Sequence, residues 1–71
     1  MMAVNHVELN VEGMSCQHCV DSIVKGLGSL NGVIGVTVDL ENKQVTVDFN
    51  GEMISLQAIK DEIEDLGYEV V

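Results

Sequence analysis

The stretch HVELNVEGMSCQHCVDSIVKGL, residues 6–27, changes its hydrophobic period halfway along, and that change decides the fold. In its first part Val7, Leu9 and Val11 alternate with His6, Glu8 and Asn10. Period two is the pattern of a half-buried strand. Beyond Gly13 the apolar positions become Val20, Ile23, Val24 and Leu27, spaced i, i+3, i+4 and i+7. That is the stripe of an amphipathic helix. The segment GSLNG at 28–32 ends the helix, with Leu30 folding back on the core.

Working outward, Val36, Val38 and Leu40 alternate with Thr37 and Asp39, and Val45, Val47 and Phe49 alternate with Gln44, Thr46 and Asp48. The ENK between them has turn character, so the pair reads as a β-hairpin. Asn50-Gly51 breaks the second strand. Ser55 is placed to cap a second helix with the stripe Leu56, Ile59, Ile63 and Leu66. Gly67 is placed as the residue just past its end. YEVV at 68–71 reads as a last short strand. The order βαββαβ predicts an α+β, ferredoxin-like sandwich, with a four-stranded antiparallel sheet covered on one face by two helices. With strand order 4-1-3-2 and right-handed crossovers, the loop holding Cys16 and Cys19 lies beside the Gly67-Tyr68 turn.

A chain of 71 residues is one domain, 1–71. A domain of that size buries only about 60% of its unfolded surface. Phe49 and Tyr68 are its only aromatic residues, so Val, Ile, Leu and Met must build the core. The net charge is -9, with 12 acidic residues against Lys25, Lys43 and Lys60. Such a balance argues against nucleic acid and anionic membrane surfaces as partners. It favours solubility, or attraction to a basic patch on a partner. The N-terminal MMAVNHVELN has no basic n-region and no long apolar run, so neither a signal peptide nor membrane insertion is expected. The expected compartment is the cytoplasm, where thiols stay reduced.

Chemistry concentrates in GMSCQHC, residues 13–19, which holds both cysteines. Cys16 leaves a strand and Cys19 sits at or near the first helical turn. A helix N-terminus carries partial positive charge and unpaired N–H groups. Such sites lower thiol pKa values from about 8.5 into roughly the 3.5–7.5 range. The i, i+3 spacing lets both sulfurs converge on one point. A closed zinc site needs four ligands. The chain adds only His6, a strand-length away, and His18, which points about 100° or more round the helix from the cysteines. Cu(I) is soft, prefers thiolates and accepts two ligands. The rival is thiol–disulfide chemistry, which also places CxxC at a helix start after a strand. Thioredoxin-type motifs usually have an aromatic residue before the first Cys and Gly-Pro between the two. Here Ser15 precedes, Gln17-His18 intervenes, and the chain has no proline.

The Gly13–Cys19 segment resembles the GMxCxxC signature of the heavy-metal-associated domain family. That family includes bacterial copper chaperones and the N-terminal domains of copper-exporting P-type ATPases. The likeness runs through the strand, the motif, both helices, the hairpin VTVDLENKQVTVDF and the final GYEV. It implies a non-enzymatic copper chaperone whose Cys16 and Cys19 bind Cu(I) and deliver it by ligand exchange to the metal-binding domain of a copper-transporting ATPase. The alternative is that the chain is itself such an ATPase domain; the initiating Met and short length favour the free chaperone. A small thiol–disulfide oxidoreductase is the alternative from a different class.

The resemblance also implies supporting roles. Met14 tucks under the metal loop as packing, the commoner use of a lone Met. Gly13 lets the chain turn out of the first strand. Ser15 stands where zinc- and cadmium-exporting relatives often carry Asp, which favours copper. Mercury-binding relatives share the thiol pair but are usually secreted. Tyr68 stands where eukaryotic copper chaperones tend to have Lys, and offers an apolar wall with a hydroxyl. His18 faces solvent, tunes the thiols from outside the ligand set, or adds a third ligand in a dimer. With two strong ligands per chain, Cu(I) bridging a homodimer is a further expectation. Asp61, Glu62, Glu64 and Asp65 crowd the end of the second helix, where the macrodipole disfavours anions. They form a solvated face, or an acidic docking surface near the metal loop.

Overall fold

The computed structural model describes residues 4–71. Residues 1–3 lie outside the described residues, and with them the start of the domain and of the N-terminal stretch assessed above. The elements are β1 (Val4–Glu12), α1 (Gln17–Gly28), β2 (Val33–Asp39), β3 (Gln44–Asn50), α2 (Leu56–Asp65) and β4 (Glu69–Val70). The strands pair antiparallel in the order β2-β3-β1-β4, which is 4-1-3-2 from the other edge. The ferredoxin-like sandwich is therefore the fold.

Alternation does the sorting. Leu9, Val11, Val45, Val47 and Phe49 point inward from the two central strands and are buried. Their neighbours His6, Glu8, Asn10 and Glu12 are exposed on the open face of the sheet. Ile23 and Leu27 of α1 and Ile59 and Ile63 of α2 complete the core and are fully buried. Met14, from the β1–α1 loop, joins the same cluster. Ser55 caps α2: its hydroxyl accepts the Ala58 N–H at 3.1 Å.

Several boundaries depart from the pattern. Val24, placed in the buried stripe of α1 by spacing, is 38% exposed. The fully buried residues of α1 are Ile23 and Leu27, and Val24 lies about 100° past Ile23, beyond Leu27 at the outer edge of the stripe. Leu40 falls in the hairpin turn at 40–43 rather than in a strand. That turn is held by Asp39, whose carboxylate accepts the Asn42 backbone and side-chain N–H groups at 3.1 and 2.8 Å. Both bonds hold the Asp39 carboxyl below the usual carboxylate range. Lys43 closes the turn in the left-handed region, at φ 57. Ile34 is exposed because the pairing of β2 with β3 shifts register between Val33 and Gly35. Finally, β4 is only two residues long, because Tyr68 belongs to the turn that ends α2.

The weight carried by α2 is testable by urea unfolding. Ile63→Ala should lower the unfolding free energy by about 2–5 kcal/mol through cavity formation. Ser55→Ala should cost about 1 kcal/mol by removing the cap.

Candidate functional site

Gly13 begins the site. Its φ of +98 turns the chain out of β1 in a conformation that L side chains rarely adopt. A Cβ there would also touch the Tyr68 ring at 3.5 Å. Met14 then dips into the core at 8% exposure, which anchors the loop from beneath. Ser15 and Cys16 remain exposed.

Cys16 occupies the N-cap of α1 in extended backbone, at φ -158 and ψ 169. Its carbonyl accepts the N–H groups of Cys19 at 3.1 Å and Val20 at 3.3 Å, which starts the helix. Cys19 follows in the first turn, half-buried. Both thiols are free, and their Sγ atoms lie 3.4 Å apart. His18, between them, is exposed. His6 lies far along β1 on the open face of the sheet, paired with the Asp48 carboxylate opposite it. Among the described residues, no three His, Cys, Asp or Glu side chains come together as a metal-holding group.

Tyr68 reaches the loop through the way α2 ends. Gly67 adopts φ +101, its N–H bonds the Glu64 carbonyl at 3.0 Å, and the Tyr68 N–H bonds the Ile63 carbonyl at 3.2 Å. This pair of bonds, closed by a left-handed glycine, is a Schellman motif. β4 then pairs with β1 through Val11↔Val70 and Glu12↔Glu69, beside Gly13. Tyr68 is thus clamped between a helix end and a strand pairing.

The electrostatic consequence falls on Cys19, whose thiol is held down at about 6. The largest cause is the Tyr68 hydroxyl, which donates to the thiolate. The Ser15 backbone N–H and the Cys16 thiol add to it, while partial desolvation opposes. Tyr68 shows the reciprocal effect: donating to Cys19 raises its own pKa. Hydrogen bonds to the charged form are the ordinary means of such a shift.

Spacing and composition do not single out the rim of the site. An open hollow beside the loop is lined by Glu12, Gly13, Glu64, Gly67, Tyr68 and Glu69. Glu12 and Glu69 face each other directly across the β1–β4 pair, a like-charge arrangement that opposes pairing. Lys43 partly offsets it, with its Nζ 3.5 Å from Glu12 Oε2. Only the register of a two-residue strand brings these groups together, and the sequence carries no signal for that register. Of the acidic run at the end of α2, Asp61, Glu64 and Asp65 are exposed, and Glu64 reaches the hollow.

Fold and loop together define the class: a small ferredoxin-like domain that presents two free cysteines at a helix N-terminus. The chain belongs to the heavy-metal-associated domain family, which residues 8–69 match. It is 47% identical over 62 residues to the copper chaperone CopZ of Staphylococcus haemolyticus, covering 87% of this chain and 91% of that protein. A solved CopZ metallochaperone superposes with a TM-score of 0.92 at 43% identity, covering 94% of this chain and all of the other. The water-soluble region of the P-type ATPase CopA from Bacillus subtilis gives 0.95 at 34% identity, covering all of this chain and 47% of that one. The family is a metal-binding one and not catalytic, so the oxidoreductase reading gives way.

The role of Tyr68 predicts a pH effect. In the metal-free protein, the ultraviolet absorbance of the Cys19 thiolate should appear with a midpoint near 6. Because the folded-state value is depressed, the ionised thiolate stabilises the fold fully above the ordinary thiol range, and that stabilisation fades as pH falls through about 6. Tyr68→Phe should move the midpoint up toward an ordinary thiol.

Proposed function

We propose that this protein is a copper chaperone that binds Cu(I) through Cys16 and Cys19 and passes it to the metal-binding domain of a copper-transporting P-type ATPase. The observation that carries this reading is the exposed thiol pair, 3.4 Å apart, with no third ligand assembled around it among the described residues. Two thiolates suit a soft monovalent ion and underfill the sphere that zinc requires. The likeness to CopZ supports copper as the cargo, and the likeness to a CopA soluble region supports a partner of the same fold.

The mechanism is ligand exchange. Cu(I) held by Cys16 and Cys19 keeps room for an incoming thiolate. A thiolate of the partner adds, one of this chain's thiolates leaves, and the ion crosses without being released to water. Cys19, ionised at neutral pH, is ready to bind without first losing a proton. Tyr68 donates to that thiolate and walls one side of the loop. Met14 and Gly13 hold the loop in shape, Ser15 adds no hard oxygen ligand of the carboxylate kind, and His18 stays outside the ligand set. The cytoplasm is the compartment in which a dithiol of this kind remains reduced. No helix among the described residues is long and apolar enough to cross a membrane. An ATPase metal-binding domain would use the same chemistry as acceptor.

Cys16→Ser and Cys19→Ser should each abolish tight Cu(I) binding in competition with a chromophoric Cu(I) chelator under reducing conditions. Retention of full affinity in either variant overturns the reading. A second expectation follows from the unfilled sphere: at excess copper, two chains share Cu(I) through four thiolates. Sedimentation velocity should show a dimer on loading, and a monomer at every copper ratio contradicts it.

A further inference from the structure

The chain contains two Asn-Gly pairs, Asn31-Gly32 and Asn50-Gly51, and the function proposed above uses neither. An asparagine followed by glycine is open to intramolecular attack, because glycine has no side chain to shield its backbone nitrogen. That nitrogen can add to the carbonyl carbon of the asparagine side chain. In sequence the two pairs look alike, but the fold separates them.

Asn50 ends β3, and its own polar groups are tied. Its N–H donates to the Gly32 carbonyl at 2.7 Å, and its carbonyl accepts the N–H groups of Met53 at 2.9 Å and Ile54 at 3.1 Å. Its side-chain Oδ1 accepts the Glu52 N–H at 3.0 Å. Ring closure there swings the side-chain carbonyl toward the Gly51 nitrogen, which pulls Oδ1 off Glu52 and turns backbone that the other bonds fix. Asn31 is exposed, in the turn between α1 and β2. The Val33 N–H donates to the Leu30 carbonyl at 3.2 Å, and Gly32 has φ +103. Asn31 and Gly32 are therefore the central residues of a type II turn. Among the described residues, no hydrogen bond involves the Asn31 side chain, N–H or carbonyl, or the Gly32 N–H. Types I and II differ in the tilt of that central peptide, so it can rotate while the Leu30–Val33 bond stays closed. Glycine at the second central position accepts either sign of φ.

We propose that Asn31 is a self-modification site, where the Gly32 nitrogen closes onto the Asn31 side chain far faster than Gly51 closes onto Asn50. The new bond joins Gly32 N to Asn31 Cγ, and the Cγ–Nδ2 bond breaks. The proton lost from Gly32 balances the one gained by the leaving amide nitrogen, which departs as ammonia. Water then opens the cyclic imide at either carbonyl carbon, giving aspartate or isoaspartate at position 31. No oxidant, reductant or metal enters the step. Either product adds a negative charge to a chain of net charge -9. The isoaspartyl product also lengthens the backbone between α1 and β2 by one carbon. The turn follows the end of α1, whereas Cys16 and Cys19 lie at its start, so the modification is independent of the thiol pair.

The test ages the full chain in warm, neutral, reducing buffer and maps the products by mass spectrometry after cleavage at lysine. Asn31 falls in the fragment Gly26–Lys43 and Asn50 in Gln44–Lys60, so the two sites are read separately. Fragmentation within the first peptide distinguishes Asn31 from Asn42. In the folded protein the conversion rate at Asn31 should exceed that at Asn50 by about tenfold or more, the factor that one hydrogen bond broken at Asn50 supplies. In concentrated urea the two rates should converge, because only the shared Asn-Gly sequence then remains. Equal rates in the folded protein, or faster conversion at Asn50, would overturn the proposal. So would an Asn31 that stays intact while the urea-unfolded chain converts by half. A tenfold gap that persists in urea would also overturn it, since the difference would then come from sequence and not from the fold.

Discussion

The C-terminal turn of α2 is the constraint on which the site depends. Gly67 takes a conformation that other residues resist, and its own N–H and that of Tyr68 close two hydrogen bonds back onto the helix. β4 begins at Glu69, just after Tyr68, and is tied to β1 at Val11 and Glu12. Tyr68 has no freedom between these two anchors. It is delivered to the loop that leaves β1, where its hydroxyl becomes the largest influence on Cys19. Gly13 completes the arrangement by leaving room for the ring and turning the loop outward. A local rule of helix termination thus becomes a property of a thiol in another element.

The Cys19 thiolate forms in a chain of net charge -9, which on its own would disfavour another anion. Range decides the outcome. Charges on an exposed surface are screened over about 8–10 Å at physiological salt. The groups that lower Cys19 act by hydrogen bonding: the Tyr68 hydroxyl first, then a backbone N–H and the Cys16 thiol. Short-range hydrogen bonding therefore prevails over the diffuse acidic field. The acids still mark the surface, since Glu12, Glu64 and Glu69 surround the hollow next to the loop. The thiolate and its acidic rim are products of one piece of topology, because β1, α1, α2 and β4 all meet at the same end of the fold.

Much of this was legible in the sequence because it follows from periodicity. The switch at Gly13 from period two to helical spacing fixed the β1–α1 junction, and four strands with two helices in that order admit few topologies. Ser55 and Gly67 announced the ends of α2, and strand order alone placed Tyr68 near the cysteines. What stayed hidden depends on packing direction and register. Val24 fits the helical stripe but lies at its exposed edge, beyond the buried pair Ile23 and Leu27. Glu12 and Glu69 carry no mark in sequence that they will face each other across a two-residue strand. Lys43 closes a turn in a conformation usually left to glycine, and periodicity says nothing about such a choice.

The central claim is that the site is an incomplete, two-thiolate hook. X-ray absorption at the copper edge, on protein loaded below one equivalent under reducing conditions, tests it most directly. The account predicts Cu(I) with two sulfur neighbours and no nitrogen or oxygen from this chain. A histidine nitrogen in the first coordination sphere, or a closed four-ligand sphere in the monomer, would contradict it.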